Sequence, residues 1–178
     1  MIKITGGSLR GRVLPAEVPE GVRPTSSRAR EALFSILGQD LTGLSFLDAF
    51  GGAGAIALEA ASRGAAPVTV FERAPIALAA IAANSTAFKT PLDVRAGDTA
   101  TLCRDVRADL VYLDPPYDDD IASWITRLAP CAIEVLVAEG RKGTVFPEMA
   151  GALPLDRVRS YGDASLAVYR VAAEPQRG

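Results

Sequence analysis

Histidine is absent from the 178 residues, cysteine occurs only twice, and aromatic side chains make up 6% of the chain. Without imidazole, a His-based catalytic triad, a His metal site and a His general base are all excluded. Cys103 and Cys131 stand 28 residues apart and outside any C-x-x-C arrangement, so both read as buried small hydrophobes, and no metal is expected. Long apolar runs are missing too. The best, Ala74 to Ala83, holds ten residues, against about 20 for a membrane helix; it reads as a buried helix, and no membrane partner is expected. The opening Met1-Ile2-Lys3-Ile4-Thr5-Gly6-Gly7 alternates like a strand and lacks the basic-then-apolar order of a secretory signal, which makes the cytoplasm the expected location.

What is present fits one globular unit: 49% of residues are hydrophobic and 22% charged. The net charge of -2 argues mildly against a surface that binds nucleic acid everywhere, but the charge is unevenly spread. Residues 1 to 37 carry six basic side chains (Lys3, Arg10, Arg12, Arg23, Arg28, Arg30) against three acidic ones (Glu17, Glu20, Glu31), which leaves the remainder at -5.

The first fifteen residues read as two short strands around the Gly6 to Gly11 turn region, followed by a Pro/Gly-punctuated loop to Pro24. Ser27 to Leu37 places Ala29, Leu33, Phe34 and Leu37 at helical spacing, with Gly38 as a stop. Strand-length apolar runs then alternate with helical patterns. Strands are expected at 45–48, 68–72, 94–96, 110–113 and 135–139, and helices near 54–63, 75–88 and 119–129. Such alternation implies a mostly parallel sheet with helices on both faces. At the tail, 156–161 and 165–171 are joined by Gly162-Asp163, a hairpin signal for an antiparallel edge.

The first of these strands ends in Asp48, and the chain continues Ala49-Phe50-Gly51-Gly52-Ala53-Gly54. Glycines at the carboxyl end of a strand allow a tight turn and close backbone approach to a ligand, where open α/β sheets bind nucleotides. The stretch also satisfies the dinucleotide pattern, so a nicotinamide-dependent oxidoreductase stays open at this point. Glu72, ending the second strand, can accept both ribose hydroxyls of a nucleoside, or merely favour the helix dipole near Pro75. Asp98 after the third strand can take an adenine amino group, or act as a turn or cap.

The fourth strand runs into Asp114-Pro115-Pro116-Tyr117. Two prolines fix φ and remove two backbone donors, so the loop is a rigid acceptor site. The Asp114 carboxylate and the Pro115 carbonyl can hold both hydrogens of an exocyclic amine and aim its lone pair at an electrophilic methyl, while Tyr117 offers a stacking face for a base. No strong base is needed for this chemistry, because the departing proton leaves a cationic amine. Asp118, Asp119 and Asp120 read as the opening of the next helix.

With these residues in place, the chain resembles the class I methyltransferases, and specifically the RsmD family of small-subunit ribosomal RNA guanine-N2 methyltransferases. Beyond Asp114 to Tyr117 the resemblance rests on Gly6-Gly7 with Arg10-Gly11-Arg12, on Arg23-Pro24-Thr25 leading to Arg28-x-Arg30-Glu31-x-Leu33-Phe34, and on Tyr161-Gly162-Asp163. It implies a Rossmann-like fold: a seven-stranded, mostly parallel sheet with an antiparallel C-terminal strand, plus an N-terminal β-hairpin extension. Residues 1–26 would be the basic extension and loop, and 27–178 the methyltransferase domain. S-adenosyl-L-methionine would be held by Asp48, Gly52, Gly54, Glu72 and Asp98, with Phe50, Gly51, Arg73, Thr99 and Asp114 in the same set; Asp114, Pro115, Pro116 and Tyr117 would hold the target guanine. Lys3, Arg10, Arg12, Arg23, Thr25, Arg28 and Arg30 would contact RNA, either ribosomal RNA itself or the assembled 30S particle, with the protein acting as a monomer. The family usually reads Phe-Ala-Gly-Ser-Gly where this chain has Phe50-Gly51-Gly52-Ala53-Gly54, so a hydroxyl is lost at Ala53. An adenine-N6 methyltransferase and a non-catalytic RNA-binding assembly factor remain as alternatives.

Overall fold

In the computed structural model, which describes residues 1–16 and 26–171, the first helix, α1 (Ser27–Leu37), starts where the sequence marks it. The Ser26 hydroxyl accepts from the Ala29 N–H at 3.1 Å, and Gly38 ends the helix at φ 120°, as capping chemistry requires. There follow β1 (Phe46–Asp48), α2 (Ala55–Ser62), β2 (Val68–Glu72), α3 (Pro75–Phe88), β3 (Asp93–Ala96), α4 (Thr99–Leu102), β4 (Ala108–Leu113), α5 (Ile121–Leu128), β5 (Ala132–Arg141), β6 (Met149–Ala150), β7 (Leu153–Tyr161) and β8 (Ala164–Arg170).

The strands form one eight-stranded sheet in the order β3-β2-β1-β4-β5-β8-β7-β6. From β3 to β5 all pairs are parallel; β5–β8, β8–β7 and β7–β6 are antiparallel. Seven strands are those expected, and the eighth is the two-residue β6. Alternation along the strands sends side chains into two cores. Phe46, Leu110, Tyr112 and Val137 pack under α1, α2 and α3, while Leu47, Val111, Leu113 and Leu136 pack under α5. The order reverses between β1 and β4, which makes the carboxyl ends of those strands the switch-point crevice.

The N-terminal segment differs in detail from the two strands expected. Its ladder is a single bridge, Lys3 to Val13, around a 3₁₀ turn at Gly7–Leu9. The reason is the docking of that turn on the end of α2. Gly7 sits at φ 73°, and a Cβ there would lie 1.8 Å from the Ser62 carbonyl oxygen, so the chain bends onto the helix instead of extending beside itself. Ile4, Leu9 and Leu14 bury against Leu58 and Phe88. The Ala74 to Ala83 run is a helix as expected, but only one of its faces is buried: Ala77 and Ile81 are covered, whereas Ile76 is 64% exposed. A helix lying on one face of a sheet has a solvent side whatever its composition. Cys103 and Cys131 are both buried, the Cys131 thiol donating to the Cys103 carbonyl at 3.1 Å.

Candidate functional site

A cavity of about 780 Å³ opens over the carboxyl ends of the parallel strands. Each strand delivers one carboxylate to it: Asp48 from β1, Glu72 from β2, Asp98 just after β3, Asp114 after β4 and Glu139 from β5.

The turn after β1 is built by local hydrogen bonds. Gly54 begins α2 in the left-handed region, at φ 80°, and its N–H bonds the Gly51 carbonyl at 2.8 Å. The Glu72 carboxylate clamps this turn to the end of β2: Oε2 accepts from the Gly52 N–H at 2.8 Å, and Oε1 accepts from the Arg73 and Ala74 N–H groups at 2.7 and 2.8 Å. Glu72 thus holds the glycine turn and the start of α3 while lining the cavity. Asp98 is the N-cap of α4, accepting from the Ala100 N–H at 2.7 Å, and it lines the cavity as well. Thr99 is buried and donates its hydroxyl to the Ala49 carbonyl at 2.8 Å, tying the third strand's loop to the first.

Asp48 is 1% exposed, and its Oδ1 receives a long bond, 3.4 Å, from the Phe50 N–H. Burial pushes its carboxyl up to about 7, with the nearby Glu72 charge adding to the shift. Asn84 holds the turn from behind, donating to the Ala53 carbonyl at 3.0 Å and accepting from the Ala16 N–H at 2.9 Å.

Asp114, Pro115, Pro116 and Tyr117, which follow β4, line the same cavity. The Arg141 guanidinium lies 4.3 Å from the centroid of the Tyr117 ring, and Phe50 meets Trp124 edge-on at 5.1 Å between the two halves of the site. Asp120 caps α5 by accepting from the Ala122 N–H at 3.1 Å, and Asp119 accepts from the Trp124 indole at 2.9 Å. The acidic run thus opens the helix and orients a cavity tryptophan.

Of the N-terminal candidates, Arg28 lines the cavity, as do Ile2 and Ser26. Arg12 is exposed, lies 4.3 Å over the Phe88 ring and donates to the Ala87 carbonyl at 3.0 Å. Arg10 is exposed, and Arg23 and Thr25 lie outside the described residues. Arg30 is a correction. It is 2% exposed, its Nη2 donates to the Lys3 carbonyl at 2.8 Å, and its Nε lies 3.7 Å from Glu59. A guanidinium used inside the fold presents no surface to a phosphate. Helical spacing in α1 carried the signal: Arg30 shares the inward face with Leu33 and Phe34.

Arg141, Trp124, Glu139 and Tyr112 are among the lining residues that the sequence did not single out. Trp124 is the chain's only tryptophan, and Glu139 ends a predicted strand, the same signal that marked Glu72. Tyr112 lay within a predicted strand and carried no separate signal.

The donor set suits a nucleoside carrying net positive charge. Carboxylates outnumber guanidiniums eight to three among the described residues lining the cavity, and paired carboxylate oxygens are the natural acceptors for hydroxyl and amino donors.

The ribosomal RNA small subunit methyltransferase D of Escherichia coli K12 is 34% identical over 125 residues, a stretch spanning 65% of this chain and 60% of that protein's length. The protein of the same name from Haemophilus influenzae is 29% identical over 161 residues, covering 83% of each. The solved structure of yhhF from Escherichia coli superposes with a TM-score of 0.82 at 29% identity, covering 95% of this chain and 97% of that one. A hypothetical protein from Thermus thermophilus superposes with a TM-score of 0.83 at 28% identity, over 96% and 100%. The family model described as Conserved hypothetical protein 95 matches residues 2–170, and the chain belongs to that family, the RsmD family of methyltransferase D proteins.

Proposed function

We propose that this protein transfers a methyl group from S-adenosyl-L-methionine to the exocyclic N2 amine of a guanine in small-subunit ribosomal RNA, in the cytoplasm. The observation that carries the reading is the single cavity joining the carboxylates of β1 to β3 with the Asp114–Tyr117 loop. Glu72 and Asp98 would accept from the hydroxyl and amino groups of the nucleoside, and Asp48 would face its positive charge. Phe50, Gly51, Gly52, Arg73 and Thr99 complete that half, with Gly54 shaping the turn. The cofactor supplies a methyl group on positively charged sulfur, an electrophile that needs no metal.

The protein's own work is positioning. The Asp114 carboxylate and the Pro115 carbonyl accept the two amine hydrogens, which points the nitrogen lone pair at the methyl; Pro116 stiffens the turn and Tyr117 stacks on the base. Asp114 would receive the proton lost from the methylated amine. Lys3, Arg10, Arg12 and Arg28 would meet RNA phosphates, and a splayed loop nucleotide would enter the site. Relatives that bear the name ribosomal RNA small subunit methyltransferase D support this substrate.

The test is transfer of label from the cofactor to small subunits purified from cells lacking the gene, followed by nucleoside analysis. Labelled N2-methylguanosine is expected, and Asp114→Ala should lower its yield by at least ~100-fold, a loss of positioning and acceptor geometry together. Labelled N6-methyladenosine would move the substrate to adenine. No incorporation despite measurable cofactor binding would overturn the reading in favour of a non-catalytic RNA-binding factor.

A further inference from the structure

The target half of the cavity contains an acidic side chain that the methyl-transfer geometry leaves without a task. Glu139 is 4% exposed, lines the cavity, and stands one position beyond the last β4–β5 pair, Leu113 with Ala138, so it flanks Asp114 along the edge of the sheet. The Tyr112 hydroxyl donates to its Oε2 at 2.7 Å, and Tyr112 is itself 1% exposed. On its other side β5 pairs with β8, Glu139 opposite Leu166. The Tyr112 hydroxyl and the pairing of β5 with both β4 and β8 thus orient the carboxylate in the cavity wall.

Guanine presents adjacent donors on its Watson–Crick edge, N1–H beside the N2 amine. Adenine presents a lone pair at N1 beside its N6 amine. We propose that Glu139, oriented by Tyr112, is the residue that selects guanine: its carboxylate accepts the N1–H of the base whose exocyclic amine is held by Asp114 and Pro115. No proton is transferred in this contact. A carboxylate set against adenine would face the N1 lone pair and leave both acceptors unsatisfied, which disfavours the wrong base by repulsion as well as by a missing bond. The inference rests on the guanine-N2 reading and deepens it.

The test uses 2-aminopurine, which keeps the N2 amine but has a lone pair at N1. Small subunits are reconstituted with RNA carrying either guanine or 2-aminopurine at the methylated position, and kcat/KM is measured for the full-length wild type, Glu139→Gln and Tyr112→Phe. Wild type should prefer guanine by about 10- to 100-fold, the usual range for one good base-edge contact. Glu139→Gln should lose most of that preference, with guanine falling and 2-aminopurine holding level or rising; Tyr112→Phe, which keeps the ring and removes only the orienting hydroxyl, should lose part of it. Equal losses on both bases in either folded variant would overturn the assignment and leave Glu139 a structural residue. Absence of transfer to guanine by the wild type would instead overturn the guanine-N2 reading itself.

Discussion

Asp48 concentrates the tension between stability and ligand binding in one side chain. Its carboxyl is 1% exposed and keeps its proton up to about pH 7, because burial penalises the charged form. The unfolded chain releases that proton near the ordinary value of 3.8. Between these two values the folded state binds the extra proton, so stability falls as pH rises across the window and the full cost is present above pH 7. The difference corresponds to a cost of about 4 kcal/mol at most. Asp48→Asn, which can still accept from the Phe50 N–H, is therefore expected to raise the melting temperature at pH 8 by more than at pH 4.5. Equal shifts at both pH values in thermal unfolding would show that Asp48 is ionised throughout. Above pH 7, where Asp48 is ionised, the same substitution should weaken binding of a cationic cofactor in a direct titration, since it removes a negative charge from the cavity.

Between elements, Glu59 of α2 gathers several of the hydrogen bonds that attach the N-terminal segment. Glu59 is fully buried and accepts from the Thr5 N–H at 2.9 and 3.0 Å, the Thr5 hydroxyl at 2.6 Å, the Gly6 N–H at 2.8 Å and Arg63 Nη2 at 2.8 Å, with Arg30 of α1 completing the ion triad. Arg63 also lies 4.7 Å over the Phe34 ring and bonds the Gln39 side chain, which ties the cluster to α1 and its following loop. Removing the shared acceptor takes a buried carboxylate away from two buried guanidiniums, so Glu59→Ala should cost about 3–5 kcal/mol in chemical denaturation. Amide exchange at Thr5 and Gly6 should speed up before the strands of the sheet do. A loss under about 1 kcal/mol would mean that packing of Ile4, Leu9 and Leu14 alone carries the attachment. Arg30 owes its place to this cluster, which is why its position in a basic segment misleads.

For the molecule as a whole, a chain of net charge -2 must approach RNA with one side. The cavity is acidic, and Lys3, Arg10, Arg12 and Arg28 belong to the basic N-terminal segment. Binding to small subunits should weaken as salt rises, and replacing Arg10 or Arg28 by Gln should each flatten the slope of log affinity against log salt by about one. Arg30→Gln should leave the slope of the folded protein unchanged, because that guanidinium is spent on Glu59 and the Lys3 carbonyl. A slope unaffected by Arg10 and Arg28 would place the RNA on another face.

The sequence by itself determined the alternation of strands and helices, the end of α1 at Gly38, the turn after Asp48 and the rigid Asp114–Tyr117 loop. All of these depend on periodicity, capping and turn chemistry, which act over a few residues. It also placed Glu72 and Asp98 at strand ends, where each side chain turns out to hold local backbone N–H groups while lining the cavity. Only the tertiary structure decided that Arg30 is interior, that Arg141 covers Tyr117, and that Tyr112 fixes Glu139 across 27 positions of chain. Those contacts depend on which strands lie side by side and which helix face turns inward. Long-range burial settles such choices, and no local pattern of residue types encodes them.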